Sequence, residues 1–567
     1  MSVTDARALT SHELDDAIDR LAVGAERWAH LPHDGRARLL REVGAAVAGV
    51  AERWMAAACR AKSVPVGSEL EGEEWLTGPY AALTAVAGYA RAYDAVAAGG
   101  STLAGSRLQA APGGRVAVRV LPENAQEGLM FHGFHAEVWM PPGVTAEQVR
   151  RDAGPPAPTS ADRGGVCLVL GAGNISSIAP LDALYELVAH DRASIVKLNP
   201  TFTDLLPVYE EAFAPLVAAG VLRFVTGGAE TGARLTAHDG IAKVHITGSV
   251  RTHDAIVWGT GEEARRRRAE DDPRLTVPIT SELGGVAPVI VVPGRWSRAD
   301  LRFQAEHVAT MRLHNAGHNC IAGQVLVLSA GWPQKDAFLD EVRAVLARLP
   351  ARAPWYPGAA ATMARVAADH AGAEEVNGRL LVRVEPGDAA CADEYFAPVL
   401  AWTELPGEGA SYLRAAVGLA NDGLAGTLGA NMIVRPADRR ALGAAFDQAV
   451  ADLRYGTVAI NAWTGMGFLL PRATWGAFPG HTRDGSGSGT GVVHNGHLLR
   501  DPERTVLTGP FRPFPRSVLH GEPSLFPKPP WFVGARSGVR TARALTAYAA
   551  APSWGRLATV LVHAFRA

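Results

Sequence analysis

The chain of 567 residues is 48% hydrophobic and 20% charged with a formal net charge of -2, enough apolar material for more than one core and too little positive charge for nucleic acid to be its main partner. Its four cysteines, Cys59, Cys167, Cys320 and Cys391, make neither a disulfide framework nor a CxxC metal spacing, so a reducing compartment and no bound metal are expected. The acidic N-terminal stretch has no apolar core like that of a leader, and no later stretch has the ~18 unbroken apolar residues of a membrane span, so the expected location is cytoplasmic.

The N-terminal part reads as helices. Ser11 is placed to cap the first, whose apolar positions Leu14, Ile18, Leu21, Ala25 and Trp28 alternate steps of four and three and so share one face; Pro32 stops it. A second helical pattern passes through Leu39, Val43 and Val47, and a third through the Ala-rich stretch around Tyr80 to Val96. Arg115 to Val120 and Glu137 to Met140 read as strands. His132 and His135, between them, lack a third ligand and read as surface or packing residues. From Gly165 the pattern changes: apolar runs at Val166 to Leu170, Ser194 to Leu198, Val221 to Val225 and Val244 to Thr247 alternate with helical stretches. That alternation predicts a parallel sheet with crossover helices, a nucleotide-binding architecture. Glycine turns follow the third and fourth runs, at Gly227, Gly228 and Gly232 and at Gly248 with Ser249. A second α/β region then extends to about Trp463. The last segment, from Phe511, holds eight basic residues against one acid, Glu522, and ends in a helical pattern through Trp554, Leu557, Val560, Leu561 and Phe565. Packing on the protein or on a partner subunit is the expected fate of that stripe; the alternative is an anionic membrane surface.

Three stretches carry parts that a thiol acting on a carbonyl needs. Cys320 stands among small and amide-bearing residues in HNAGHNCIAG, a setting in which backbone N–H groups favour a thiolate. Asn174, in GAGNISS, follows the strand Val166 to Leu170, where an amide can face a cleft and donate to an oxyanion. Glu282 opens ELGG, whose glycines let backbone approach a ligand while the carboxylate serves as a base.

With VKLNP (Lys197), ITGS (Gly248, Ser249) and EYFAPV (Glu394, Phe396), these stretches resemble, in order and spacing, the aldehyde dehydrogenase superfamily across roughly residues 20–490. The resemblance implies an α/β fold, a Rossmann-type nucleotide-binding domain plus an α/β catalytic domain. It divides the chain into N-terminal helices and dinucleotide-binding domain (1–279), catalytic domain (280–465), returning segment (466–510) and basic C-terminal extension (511–567). It implies oxidation of a small-molecule aldehyde to the acid through a cysteine thiohemiacetal and thioester, with NAD or NADP as cofactor, in a homo-oligomer. Cys320 is then the nucleophile, Asn174 with the Cys320 N–H the oxyanion site, and Glu282 the base that activates water. Lys197 would lie at the adenosine ribose, with Gly228, Gly248 and Ser249 near the phosphates. Glu394 would hold the nicotinamide ribose, and Phe396 would pack beside the ring. On this reading Glu282→Gln lets the acyl-enzyme form and then stalls.

Departures from the family pattern carry expectations of their own. Pro200 replaces the carboxylate that many NAD-using members place three residues after the lysine, so acceptance of both cofactors is expected. His318 replaces a glutamine and makes an i, i+4 pair with His314, read as packing rather than as a base or metal site. The run Arg265 to Arg268 reads as a solvated insertion. Were it a CoA contact, the chain would be an acylating enzyme or acyl-CoA reductase; a non-catalytic scaffold keeping the fold is the other alternative.

Overall fold

The computed structural model describes residues 10–156 and 163–566. The first helix, Ser11–His30, is capped by Thr10 rather than Ser11: the Thr10 hydroxyl accepts from the Glu13 N–H, and the Glu13 carboxylate returns the bond to the Thr10 N–H. Leu14, Ile18, Leu21, Ala25 and Trp28 are all buried, as their spacing demands. The helix His33–Ala61 packs along Ala81–Ala97, and the buried Trp54 of the former stacks edge-on to Tyr209 at 5.3 Å.

Two sheets organise the rest. The six-stranded sheet runs, edge to edge, Gly489–Thr490, Ile279–Leu283, Ile241–Gly248, Val166–Leu170, Ala193–Lys197, Leu222–Val225, all parallel except the first. Chain order reverses between Val166–Leu170 and Ile241–Gly248, and at such a switch point the loops beyond the strand C-termini splay apart into a crevice. Asn174 and Ser249 stand beyond those two ends. The second sheet has eleven strands. Five parallel neighbours, Thr457–Ile460, Gly429–Ile433, Ala287–Val291, Gly323–Ser329 and Val399–Leu405, form its centre. They are buried on both faces, hence the continuous apolar runs.

The strand Ile279–Leu283 stays with the six-stranded sheet, so the chain crosses between sheets at Gly284 to Val286, directly after Glu282. Leu108–Ala111, Arg115–Leu121 and His135–Trp139 join the larger sheet through antiparallel pairing of His135–Trp139 with Arg504–Thr508. Segment 466–510 touches both sheets, with Gly489–Thr490 beside Glu282 and Arg504–Thr508 beside Thr457–Ile460.

The C-terminal extension packs on the chain. It docks along one face of the helix Arg298–Leu313: Arg512 and Arg516 pair with Asp300, Gln304 Nε2 donates to the Phe511 carbonyl at 2.6 Å, Lys528 Nζ donates to Glu306 Oε1 at 2.7 Å, and Val533 N donates to Thr310 Oγ1 at 3.2 Å. The helix Gly538–Ala550 lies against Glu71–Tyr80. Of the C-terminal stripe, Leu557 and Val560 are buried, whereas Trp554 and Phe565 remain exposed. The helix Gly261–Ala269 bears no buried residue, and Arg265 to Arg268 pair with Glu262, Glu270, Glu263 and Asp254 in turn. Among the described residues no helix is long and apolar enough to cross a membrane.

Deleting residues 511–567 therefore strips a buried apolar face that includes Phe511, Trp531, Leu545 and Leu557. At ~1.5–3 kcal/mol per buried side chain the loss is large, and the melting temperature should drop by ~10 °C or more. Added salt should not restore it, because apolar contact is not screened. An unchanged melting curve, with loss of sedimentation on anionic vesicles, would instead assign the extension to a membrane surface.

Candidate active site

The helix Arg298–Leu313 runs into the turn His314–Gly317, where Asn315 and Ala316 take left-handed φ angles of 54° and 56°. For an alanine that conformation costs ~1–2 kcal/mol and has to be held by its surroundings. Asn315 N donates to Glu73 Oε2 at 3.1 Å, and Glu73 is fixed by Arg352 at 2.7 Å. The Asn315 amide donates to the carbonyls of Asn174 and His318, both at 3.0 Å. The buried Arg312 donates to the Ala397 carbonyl, tying this turn to the segment that carries Glu394. His314 and His318 are both driven to about 4 by burial, and His318 Nδ1 donates to the Phe396 carbonyl at 2.8 Å. Neutral rings of this kind pack and orient the loop; no group of three metal-ligating side chains occurs among the described residues.

Held this way, Cys320 Sγ donates to Glu282 Oε1 at 3.1 Å, and Trp475 Nε1 donates to the same oxygen at 3.0 Å. Burial, then the neighbouring Glu282 charge, pushes the thiol well above its ordinary range. Burial likewise pushes Glu282 up to about 7. The two titrate as a coupled pair, in which the carboxylate is the proton acceptor lying nearest the thiol. This differs from the sequence reading, which gave Glu282 work on water alone. Asn174 Nδ2 donates to the His318 carbonyl at 3.0 Å, which orients the amide and leaves its second N–H for a ligand.

All six residues singled out for cofactor binding, Lys197, Gly228, Gly248, Ser249, Glu394 and Phe396, line one cleft, and Asn174, Glu282 and Cys320 line its inner end. The helix Ala229–Thr236 begins at Gly228, which has no capping side chain, so its first-turn N–H groups stay open to an anion such as a phosphate. Glu394 Oε1 is buried without a hydrogen-bond partner, as suits an acceptor for ribose hydroxyls. Its carboxylate lies so close to Gly284 that a Cβ there would fall 2.1 Å from it, so any side chain at 284 would displace the carboxylate. Burial pushes Glu394 up to about 8, the Glu282 charge adding to it. The acids lining the cleft are Glu282 and Glu394, both beside Cys320, whereas Lys197, Arg251 and Arg274 supply its positive charge. Burial lowers the pKa of Lys197.

On the other side of Cys320 lies a separate apolar cavity, lined by Asn174, Glu282, Trp463, Phe468, Trp475 and Trp531 among others. The sequence gave no hint that Trp475 holds Glu282, that Glu73 and Arg312 brace the nucleophile loop, or that Trp531 reaches the site. Asp182, also in the wall, accepts from Thr247 Oγ1 at 2.8 Å. Its signal was legible as an acid inside Ile178–His190, a helix buried over most of its length.

A model of the aldehyde dehydrogenase family matches residues 165–369. Betaine aldehyde dehydrogenase 2 of Rhizobium meliloti (strain 1021) is 28% identical over 362 residues, 59% of this chain and 68% of that protein. Among solved structures, gamma-glutamyl-gamma-aminobutyraldehyde dehydrogenase from Burkholderia cenocepacia J2315 superposes with TM-score 0.57 at 19% identity, over 88% of this chain and 89% of the other. NADP-dependent glyceraldehyde-3-phosphate dehydrogenase from Bacillus halodurans C-125, complexed with NADP, does so with TM-score 0.57 at 18% identity, over 88% and 92%. These structural likenesses speak for the fold, and the family match and the curated relative for the lineage. A thiol, a carboxylate and an amide meet between a nucleotide cleft and an apolar cavity, on a fold shared with aldehyde dehydrogenases, and residues 165–369 of this chain match the aldehyde dehydrogenase family.

Proposed function

We propose that this chain oxidises an aldehyde to its carboxylate with NAD+ or NADP+, by way of a thiohemiacetal and a thioester on Cys320. The observation that carries the reading is the 3.1 Å contact between Cys320 Sγ and Glu282 Oε1 where the cleft meets the cavity. Glu282 takes the thiol proton as Sγ forms its bond to the carbonyl carbon, and the free Asn174 N–H with the Cys320 backbone N–H holds the oxyanion. When bound along the cleft, the nicotinamide supplies the hydride acceptor for that step. Glu282 releases its proton to solvent and then takes one from water, whose oxygen adds to the thioester. Collapse breaks the C–S bond, frees the acid and restores the thiolate. A panel of aldehydes followed by absorbance of the reduced cofactor tests this; tight cofactor binding with no turnover on any aldehyde would sink it.

The cofactor reading follows from the charge of the cleft. Pro200 sits where a discriminating carboxylate is absent, and the cleft's cations are available to a 2'-phosphate. Both cofactors should be used with kcat/KM values within about tenfold of each other. Lys197→Ala should raise KM for NADP+ more than for NAD+. A thousandfold exclusion of NADP+, about 4 kcal/mol, would mean that another group performs the discrimination.

A further inference from the structure

The C-terminal extension encloses a second cavity of its own. Its walls include Phe131, Phe134, Phe303, Phe526, Leu545 and Val560, around a cavity of about 60 Å³ that opens towards solvent. Trp463 and Trp531 line both this cavity and the one that holds Cys320. Two indole side chains are thus the partition between the reactive thiol and an apolar chamber built largely by residues 510–564.

The charged side chains in the chamber wall are already engaged. Arg512 Nη1 donates to Glu522 Oε1 at 2.8 Å and its Nε lies 3.0 Å from Asp300 Oδ1; Lys528 Nζ donates to Glu306 Oε1 at 2.7 Å. His307 hydrogen-bonds Gln304 at 3.2 Å and stacks on Phe532 with ring centroids 5.1 Å apart. Burial drives its pKa down to about 3, so that ring is neutral. A charged tail would find no counter-ion here that is not already paired, and an uncharged apolar one would find aromatic walls. At the partition the indole N–H groups of Trp463 and Trp531 are both buried without a hydrogen-bond partner. Such donors are costly unless something accepts from them.

We propose that this chamber is the outer half of the substrate tunnel, so that the enzyme selects aldehydes with a long or bulky uncharged apolar tail that passes Trp463 and Trp531 and ends among Phe526, Leu545 and Val560. An ether, carbonyl or hydroxyl oxygen on the tail at the partition would satisfy the two indoles. The inference rests on the aldehyde-oxidising reading and names its substrate class. The extension, on this account, is a specificity element as well as a stabilising one.

The test uses the full-length protein and a series from propanal through hexanal to decanal. Each buried methylene is worth about 0.8 kcal/mol, so kcat/KM should climb by at least about a hundredfold from propanal to decanal, chiefly through KM. Leu545→Trp and Val560→Phe fill the chamber from its far side, away from Cys320, and should cut the decanal-to-propanal ratio by about tenfold or more. The ratio is the readout because a general loss of folded protein lowers both numbers and leaves it unchanged. A flat wild-type series, or a ratio unmoved in both variants, overturns the proposal. Decanoate binding, followed by tryptophan fluorescence, keeps this failure apart from failure of the reaction itself. If decanoate binds in preference to propionate and no aldehyde is oxidised, the chamber stands and the chemistry falls. If aldehydes are oxidised and decanoate has no advantage, the chamber falls alone.

Discussion

Cys320→Ala is expected to lower aldehyde oxidation by on the order of a thousandfold or more, while NAD+ and NADP+ still bind with nearly the affinity of the parent protein. The thiol is the group positioned to form a bond to substrate where cleft and cavity meet, and removing Sγ takes away the acyl carrier but little of the cleft wall. Asn174→Ala should cost less, about a hundred- to a thousandfold in kcat, the usual worth of one oxyanion donor. It should also loosen the loop, because Asn174 donates to the His318 carbonyl. Progress curves with each variant, together with fluorescence titration of the cofactor, make the comparison. Turnover retained by Cys320→Ala would remove the thiol from the mechanism.

Why these three residues could be picked out from the sequence, and their supports could not, is a matter of range. Asn174 follows an apolar run that ends in glycines, Glu282 stands just before the pair Gly284 and Gly285, and Cys320 lies in a turn of small residues, so each announces itself within ten positions. The bonds that brace them reach much further: Trp475 is 193 residues from Glu282, and Glu73 is 242 from Asn315. No local pattern records such a pairing. The same holds for strands. The alternation in Arg115–Leu121 marks a strand, but its sheet is decided by Arg504–Thr508, which pairs with His135–Trp139 far down the chain. Four strands of the six-stranded sheet were legible because their crossovers are local and repeat one pattern, whereas its edge strand Gly489–Thr490 joins Ile279–Leu283 from far down the chain. In the extension, the apolar stripe was read correctly at Leu557 and Val560, whereas Trp554 and Phe565 proved exposed; periodicity assigns a face to a helix without saying how much of that face is covered.

Glu282→Gln is where the geometry and the sequence part company over kinetics. A carboxylate that worked on water alone would leave a full, fast burst of reduced cofactor in the glutamine variant, followed by a stalled thioester. With Glu282 Oε1 accepting the Cys320 thiol proton at 3.1 Å, the variant also loses the base for the first step. A thiol held well above its ordinary range by burial is then left protonated at neutral pH. The burst itself should therefore slow by about a hundred- to ten-thousandfold, the usual range for general-base removal. In the parent enzyme the base must be ionised, and burial sets Glu282 at about 7, so kcat/KM should rise with pH through about 7 and level above it. In Glu282→Gln that limb should vanish, leaving a rise at much higher pH as the thiol ionises unaided. Rapid mixing across a pH series decides the matter: a fast, full burst in the glutamine variant, with the limb near 7 intact in its rate, would return Glu282 to water activation alone.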